Sequence, residues 1–378
     1  MPRLLHLADL HLGWAPHDLP PAVAEARRAA RDARLDEAVA LALRERVDAV
    51  VIVGDLFERY DPPSALVARA RSALARLTDA GVAVVTIPGN HDELTYPGSV
   101  FRRELDRWPG IVVRDAAPAR VATFELGGER VHVHALAFIG GVSEAITSLA
   151  ELPARDDDGY HLFAAHGTLV NAALELQGDR SLPLPRAVLA AAGYDYVALG
   201  HIHRPSEQRL GRSLAVYPGC VGGKGFDDPG SGAWTIVHLG PQGARTEHVA
   251  HSGQRLHDLE LDVGAYDDAA ALRAALMSLL APLADDLVRV RLTGAAPVDI
   301  DAAALSAECA QRALFLRIED RTTSISESLL DVWAASPTVR GAFVRRLREG
   351  IAASSDEQER RRLQRALRFG LDAMSGDA

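Results

Sequence analysis

The sequence predicts an α/β fold: two face-to-face sheets with helices outside, then a smaller α/β module and a helical tail. Three observations predict it. Residues Leu4 to Ile87 alternate short apolar runs with longer amphipathic ones, the mark of an α/β layer. Residues Val121 to Leu239 then give strand after strand, several joined by glycine-containing turns. Residues Leu259 to Ile318 read as a compact β-α-β-α-β unit.

Each element has its own signal. Leu4–Ala8, Asp48–Val53 and Val82–Ile87 are short apolar runs that stop at polar or glycine-containing segments, as buried strands do. Ala22–Arg46 is rich in Ala, Arg and Glu with a spaced apolar face, so it predicts a helix. Ser64–Ala80 predicts another, ended by Gly81. Strands are expected at Val121–Leu126, Arg130–Phe138, His161–Ala165, Tyr194–Leu199, Leu214–Tyr217 and Trp234–Leu239, with a helix at Pro185–Ala192. In the module, Leu259–Val263 and Leu287–Leu292 alternate strictly, as half-buried strands do. Helices follow at Asp267–Leu280 and Ala302–Gln311, with a last strand at Leu314–Ile318. From Ser326 onward the pattern is helical. Ser336-Pro337 reads as a helix start, a serine cap with proline at the first helical position. That helix places Val339, Phe343, Leu347 and Ile351 on one face. Ser354 with Glu357 makes a capping-box pattern for a second helix, whose face carries Leu363, Leu367, Leu371 and Met374. The expected division is residues 1–253, 254–325 and 326–378.

Composition narrows the function classes. The chain has 378 residues, 48% hydrophobic and 24% charged, with net charge −10. That suits a globular protein and argues against a uniformly basic nucleic-acid coat, though not against a local basic cleft. No apolar run approaches membrane-spanning length, and nothing at the start resembles a signal peptide. Cys220 and Cys309 are the only cysteines. Two isolated thiols make no disulfide framework, so the expected location is the cytoplasm.

The chemistry gathers at strand ends. The segments are "LADLHLG" (Asp9, His11), "VGDLFE" (Asp55), "PGNHDE" (Asn90, His91, Asp92), "AAHGT" (His166) and "GHIHRP" (His201, His203). Strand C-termini in α/β sheets are where sites are built. Residues i and i+2 of an extended chain point to one side, so Asp9 with His11, and His201 with His203, can each feed one centre. Carboxylate, amide and imidazole donors without a thiol suit manganese, iron or zinc. The set is large enough for two divalent cations about 3.5–4 Å apart, which requires a bridging carboxylate. Asp55 is the natural bridge, alone on its strand. One cation then takes Asp9, His11, Asp55 and His203, and the other Asp55, Asn90, His166 and His201. His91 is left to move protons, and Asp92 is expected to orient its imidazole. A single strand-end Asp or His is ordinarily a turn or cap group; the inference rests on the ordered set.

These segments, in this order, resemble the calcineurin-like metallophosphoesterase superfamily, over about residues 3–205. Within it they look most like the SbcD nuclease subunits and their YhaO-type relatives. "YPGCVGGKGFDDPGSGAW" (217–234) resembles the stretch after the last histidine pair in that branch. The resemblance implies a four-layer αββα core, manganese dependence and phosphodiester cleavage. It implies DNA as substrate, the β-α-β-α-β module as a DNA-capping domain, and the tail as a dock for an SbcC-like or YhaN-like coiled-coil ATPase. A homodimer is the other assembly to consider. One residue departs from the pattern. "GDLF" is often followed by His or Asp in that branch, and here by Glu58.

Further residues carry weaker signals. Lys224, the only lysine, lies in the Gly219–Gly225 stretch, which can bring backbone N–H groups and an ammonium to a phosphate; a plain surface turn is the alternative. Arg204 follows the histidine pair and can reach a phosphate or simply face solvent. His132 and His134 lie inside a strand and read as sheet residues, and His161 as structural. The expected reaction is attack of metal-activated water on a phosphodiester, with His91 protonating the leaving oxygen. The alternatives are a phosphodiesterase or phosphatase for small phosphoesters, and a non-enzymatic scaffold on the same fold.

Overall fold

The computed structural model describes residues 1–140, 152–155, 158–171, 181–266, 268–294, 300–322 and 327–374. The chain divides into two compact units, Met1–Arg255 and Leu256–Ala378.

The first unit is an α/β sandwich of two mixed sheets flanked by helices. One sheet contains β1 (Arg3–Leu7), β2 (Ala49–Val53), β3 (Ala83–Ile87) and β4 (Ile111–Val112), all parallel. The other contains β5 (Ala119–Leu126), β6 (Glu129–Ala135), β7 (Tyr160–His166), β10 (Tyr196–Gly200), β11 (Ser206–Leu210) and β12 (Ser213–Tyr217). A small ladder pairs β8 (Thr168–Val170) with β9 (Pro183–Pro185). The chain then returns to the first sheet through β13 (Ala233–Gly240) and β14 (Gly243–Ala250). The orders are β14-β13-β1-β2-β3-β4 and β11-β12-β10-β7-β6-β5. At the centre, β6, β7, β10 and β12 are parallel.

The two-residue period explains the sandwich. Leu162 and Ala164 of β7, and Tyr196 and Ala198 of β10, join the core that also holds Leu4, Leu5 and Val50 of the first sheet. Their neighbours Phe163, Ala165, Val197 and Leu199 pack on the opposite face with Leu189 of the helix Arg186–Ala192. Strand β2, all apolar, is buried at every residue, as strands covered on both faces are. Helix α1 (Pro21–Asp32) leads into α2 (Arg34–Arg44), which with α3 (Ser64–Asp79) packs on the same core; α2 contributes Leu35, Ala38, Val39, Leu41 and Ala42, and α3 contributes Val67, Leu74 and Leu77. A hydrogen bond between His6 Nδ1 and Tyr196 Oη, 2.8 Å, joins the sheets through their shared core.

The expected helix Ala22–Arg46 is two helices that meet at Ala33. The strands the pattern did not show are short, as β4 is, or polar, as β11 (SEQRL) and β14 (GARTEHVA) are. An edge or outer strand needs little apolar surface, so its signal is weak.

The second unit has a three-stranded parallel sheet of β15 (Leu256–Asp262), β16 (Leu287–Thr293) and β17 (Phe315–Asp320). Helices Ala269–Leu280 and Ala302–Cys309 supply Leu272, Leu276, Leu280, Leu305 and Cys309 to its core. Asp267 and Ser326, expected to open a helix and the tail, lie outside the described residues. Three helices follow, Glu327–Ala335, Val339–Ala353 and Glu357–Ala373. Leu330, Val344, Leu367 and Leu371 form their common core, with Phe343, Leu347 and Ile351 packed on it. The last helix packs against the turn Val263–Ala265.

The tail corrects three expectations. Thr338, not Ser336, caps the helix Val339–Ala353, its side chain accepting from Gly341 N; Ser336 N instead donates to Trp333 O, closing the preceding helix. Asp356 rather than Ser354 accepts from Gln358 N. Val339, expected on the packed face, is 81% exposed, and the neighbouring Val344 takes the central position.

Candidate metal centre

The parallel strands of both sheets end at one place. After β1 and β2 the two loops zip together: His11 N donates to Asp55 O (2.9 Å), Leu12 N to Leu56 O (2.9 Å), and Glu58 N to Leu12 O (3.0 Å). From the other sheet, His166 is the last residue of β7, and His201 follows β10. All nine residues expected at the centre, Asp9, His11, Asp55, Asn90, His91, Asp92, His166, His201 and His203, lie in these strand ends or the loops that follow them.

The backbone there is unusual. Asp9 (φ 55°), His11 (φ 49°), Asp55 (φ 52°) and His201 (φ 96°) are left-handed non-glycine residues. Such conformations cost about 1–3 kcal/mol each and persist where surrounding structure enforces them. Asp9–His11 and His201–His203 therefore do not converge by the alternation of an extended strand. Sharp turns after the strands aim them instead. Glycine makes room for the same packing: a Cβ on Gly200 would stand 1.9 Å from Val53 O and 2.7 Å from His166 Nδ1.

The side chains then meet. His166 Nε2 lies 3.3 Å from Asp55 Oδ2 and 3.0 Å from Asn90 Oδ1. His201 Nδ1 is 3.0 Å from Asn90 Oδ1. Asp9 accepts from His201 N at 3.0 and 3.1 Å. His11 Nε2 is 3.1 Å from His203 Nε2 and 3.7 Å from Asp55 Oδ2. Three tight groups result: Asp9 with His11 and His203, Asp9 with Asp55 and His166, and His11 with Glu58 and His91. Both sheets contribute, and Asp9, His11 and Asp55 are almost fully buried.

The donor chemistry fits a pair of divalent cations. His203 Nδ1 is hydrogen-bonded to Asp228 Oδ2 at 2.6 Å. His11 Nδ1 lies 2.8 Å from Glu58 Oε2, an ion-pair contact. His11 Nε2 and His203 Nε2 face each other at 3.1 Å, so one carries a proton toward the other or the two share a cation. Burial pushes the His11 imidazole down to about 4, which keeps it neutral, as a ligand must be. Burial also opposes a charge on His166, yet the carboxylates of Asp55 and Asp9 pull it up to about 9. The centre therefore attracts positive charge.

His91 stands at the edge of the cluster. Its backbone N donates to Asp55 Oδ1 (2.9 Å), and its Nδ1 lies 3.0 Å from Glu58 O. Asp92 does not hold this imidazole, contrary to expectation. Its carboxylate accepts from Phe57 N (3.1 Å) and Gly89 N (2.7 Å), fastening the loops after β2 and β3. Lys224 Nζ bonds Glu58 Oε2 at 2.9 Å, and Arg204 is exposed beside His203. His132, His134 and His161 contact one another in β6 and β7, apart from the cluster.

Two residues escaped the sequence reading as participants. Glu58 was visible only as a departure from a pattern, and Asp228 lay unremarked in the glycine-rich stretch. The available signal was chemical: a ligating histidine needs an acceptor for its other ring nitrogen.

A model of the calcineurin-like phosphoesterase family matches residues 2–205. The uncharacterized metallophosphoesterase YhaO of Bacillus subtilis (strain 168) is 26% identical over 273 residues, 70% of this chain and 62% of that protein. The DNA double-strand break repair protein Mre11 of Aeropyrum pernix is 29% identical over 276 residues, 70% of this chain and 64% of its own. The D component of the nuclease SbcCD of Bacillus subtilis (strain 168) is 26% identical over 270 residues, 63% of this chain and 66% of its own. The chain thus spans less than two thirds of the length of each of these relatives.

Proposed function

Because the chain belongs to the calcineurin-like phosphoesterase family, we propose that it is a two-metal phosphodiesterase that cleaves DNA, as the nuclease subunit of a repair complex. The observation that carries the hydrolase reading is the meeting of two sheets' strand ends in one oxygen- and nitrogen-donor cluster, with His91 beside it. Asp9, His11, Asp55 and His203 would hold one cation, and Asp55, Asn90, His166 and His201 the other. The thiol-free donor set suits manganese, iron or zinc, and the family resemblance favours manganese among them. When bound, such a pair supplies a nucleophile at neutral pH and stabilises charge on a phosphoryl group.

The chain's own residues do the rest. Asp55 fixes the His91 backbone through its N–H. With Nδ1 against Glu58 O, His91 delivers a proton from Nε2 to the leaving oxygen. Lys224 and Arg204 meet the phosphate at the rim, Lys224 by leaving Glu58. Two relatives named as a nuclease subunit and a break-repair protein support DNA as the substrate. The second unit, read as a capping module with a tail for a coiled-coil ATPase, supports the complex. The two cysteines, buried and free, agree with a cytoplasmic setting.

The net charge of −10 favours a competing reading, small phosphoesters. Purified protein with manganese, offered labelled single- and double-stranded DNA beside a small chromogenic diester, decides between them. Degradation of DNA supports the proposal. Rapid turnover of the small diester with intact DNA replaces it.

A further inference from the structure

The two halves of the cluster differ in what stands behind the imidazoles. His11 and His203 each have a carboxylate at Nδ1, Glu58 at 2.8 Å and Asp228 at 2.6 Å. His166 has only a peptide carbonyl at Nδ1, Val53 O at 3.0 Å. A carboxylate behind a histidine makes its other nitrogen a stronger donor and fixes the ring. A peptide carbonyl orients the ring without adding charge.

Both carboxylates are held in place. Glu58 is bonded by Lys224 Nζ. Asp228 sits in a tight turn in which Lys224 N and Gly225 N donate to its carbonyl, at 2.9 and 3.2 Å. The turn is gripped from α1. Arg27 and Arg31, both nearly fully buried, donate to Gly223 O, and Arg31 also donates to Leu10 O (3.2 Å) between Asp9 and His11. One lysine thus spans both supports: its ammonium holds Glu58 and its backbone holds Asp228.

We propose that Glu58 and Asp228 are positioning residues that make the cation position at His11 and His203 the tighter of the two. This rests on the two-metal reading above. Cations would load in order, the His11–His203 position first and the His166–Asn90–His201 position second.

The test is calorimetric titration of the metal-depleted full chain with Mn²⁺, without substrate. The expected wild-type result is two steps of unequal affinity. Glu58→Gln and Asp228→Asn should each weaken the tighter step by about 10–100-fold and leave the weaker step in place. Glu58→Asp should recover part of the loss. Lys224→Met removes the ammonium that holds Glu58 but keeps the carboxylate, so the tighter step should weaken less than in Glu58→Gln. A merely structural network would weaken in all these variants alike, at both steps, and that result overturns the proposal. So does an unchanged titration in Glu58→Gln and Asp228→Asn. Two equal wild-type steps overturn it while leaving the two-metal reading intact. No Mn²⁺ uptake overturns both.

Discussion

Asp55 Oδ2 stands 3.3 Å from His166 Nε2, joining the loop after β2 in one sheet to the end of β7 in the other. The same carboxylate accepts from His91 N and lies 3.7 Å from His11 Nε2. It therefore reaches residues that follow β1 and β3 as well as the end of β7. Asp55→Asn keeps the shape and removes the charge. It should lose bound metal and hydrolysis together, read by metal analysis of the purified variant beside its turnover. Two metals per chain with near-normal turnover would refute the bridging role.

His91 separates binding from chemistry. Its Nδ1 lies 3.0 Å from Glu58 O, and the one tight group it joins, with His11 and Glu58, is not one of the two ligand sets assigned to the cations. His91→Ala should retain its metal and lose about 10²–10⁴-fold in rate, the usual contribution of a general acid. Metal content that falls as steeply as the rate would make His91 a ligand.

The sequence made the fold legible wherever burial was two-sided. Strands such as β2 and β10 announced themselves because every residue is apolar. The polar strands β11 and β14 did not, since only sheet pairing reveals them. At the site, residue types and order were enough to name side chains that the fold brings together. Their geometry was not legible, because four left-handed residues replace the extended backbone that spacing alone suggests. Nor was the true partner of Asp92: its bonds go to backbone groups of Phe57 and Gly89, which no side-chain pattern encodes.

Gly200 should tolerate no side chain. A Cβ there would lie 1.9 Å from Val53 O, a backbone atom that cannot swing away, and 2.7 Å from His166 Nδ1. Gly200→Ala should lower both thermal stability and metal content. Gly98→Ala is the control, because a Cβ at Gly98 meets nothing within 4 Å. Equal melting temperatures and metal contents for the two variants would show that the approach is relieved elsewhere.

His6 predicts a pH dependence. Burial pushes its imidazole down to about 3, against a backbone hydrogen bond with Leu199 that raises it. The fold needs the neutral ring, so its contribution is complete above the unfolded value of ~6.5. It is lost as pH falls from there toward about 3, at up to about 1.4 kcal/mol per pH unit. Urea unfolding of the metal-free chain between pH 7 and pH 5 should show a shallower loss in His6→Gln than in the wild type. Parallel slopes would mean that His6 does not change its protonation on unfolding in this range.

The tail calls for point substitutions rather than a deletion. Leu330 shares its core with Val344, Leu367 and Leu371, and Trp333 packs on them. Removing residues 336–378 would strip that core and expose its remnant, so lost association could mean only a damaged unit. Val339 (81% exposed) and Phe369 (47% exposed) lie outside the core yet are large and apolar. If the tail docks on a coiled-coil ATPase, as proposed, such side chains are the natural anchors for a helix-in-groove contact. Val339→Asp and Phe369→Asp should leave melting and manganese-dependent diester hydrolysis within error of the wild type. Copurification with a coiled-coil ATPase of the proposed kind should fall at least tenfold. Undiminished copurification of the doubly substituted chain would move the dock elsewhere, whereas a lowered melting temperature would return these residues to the fold.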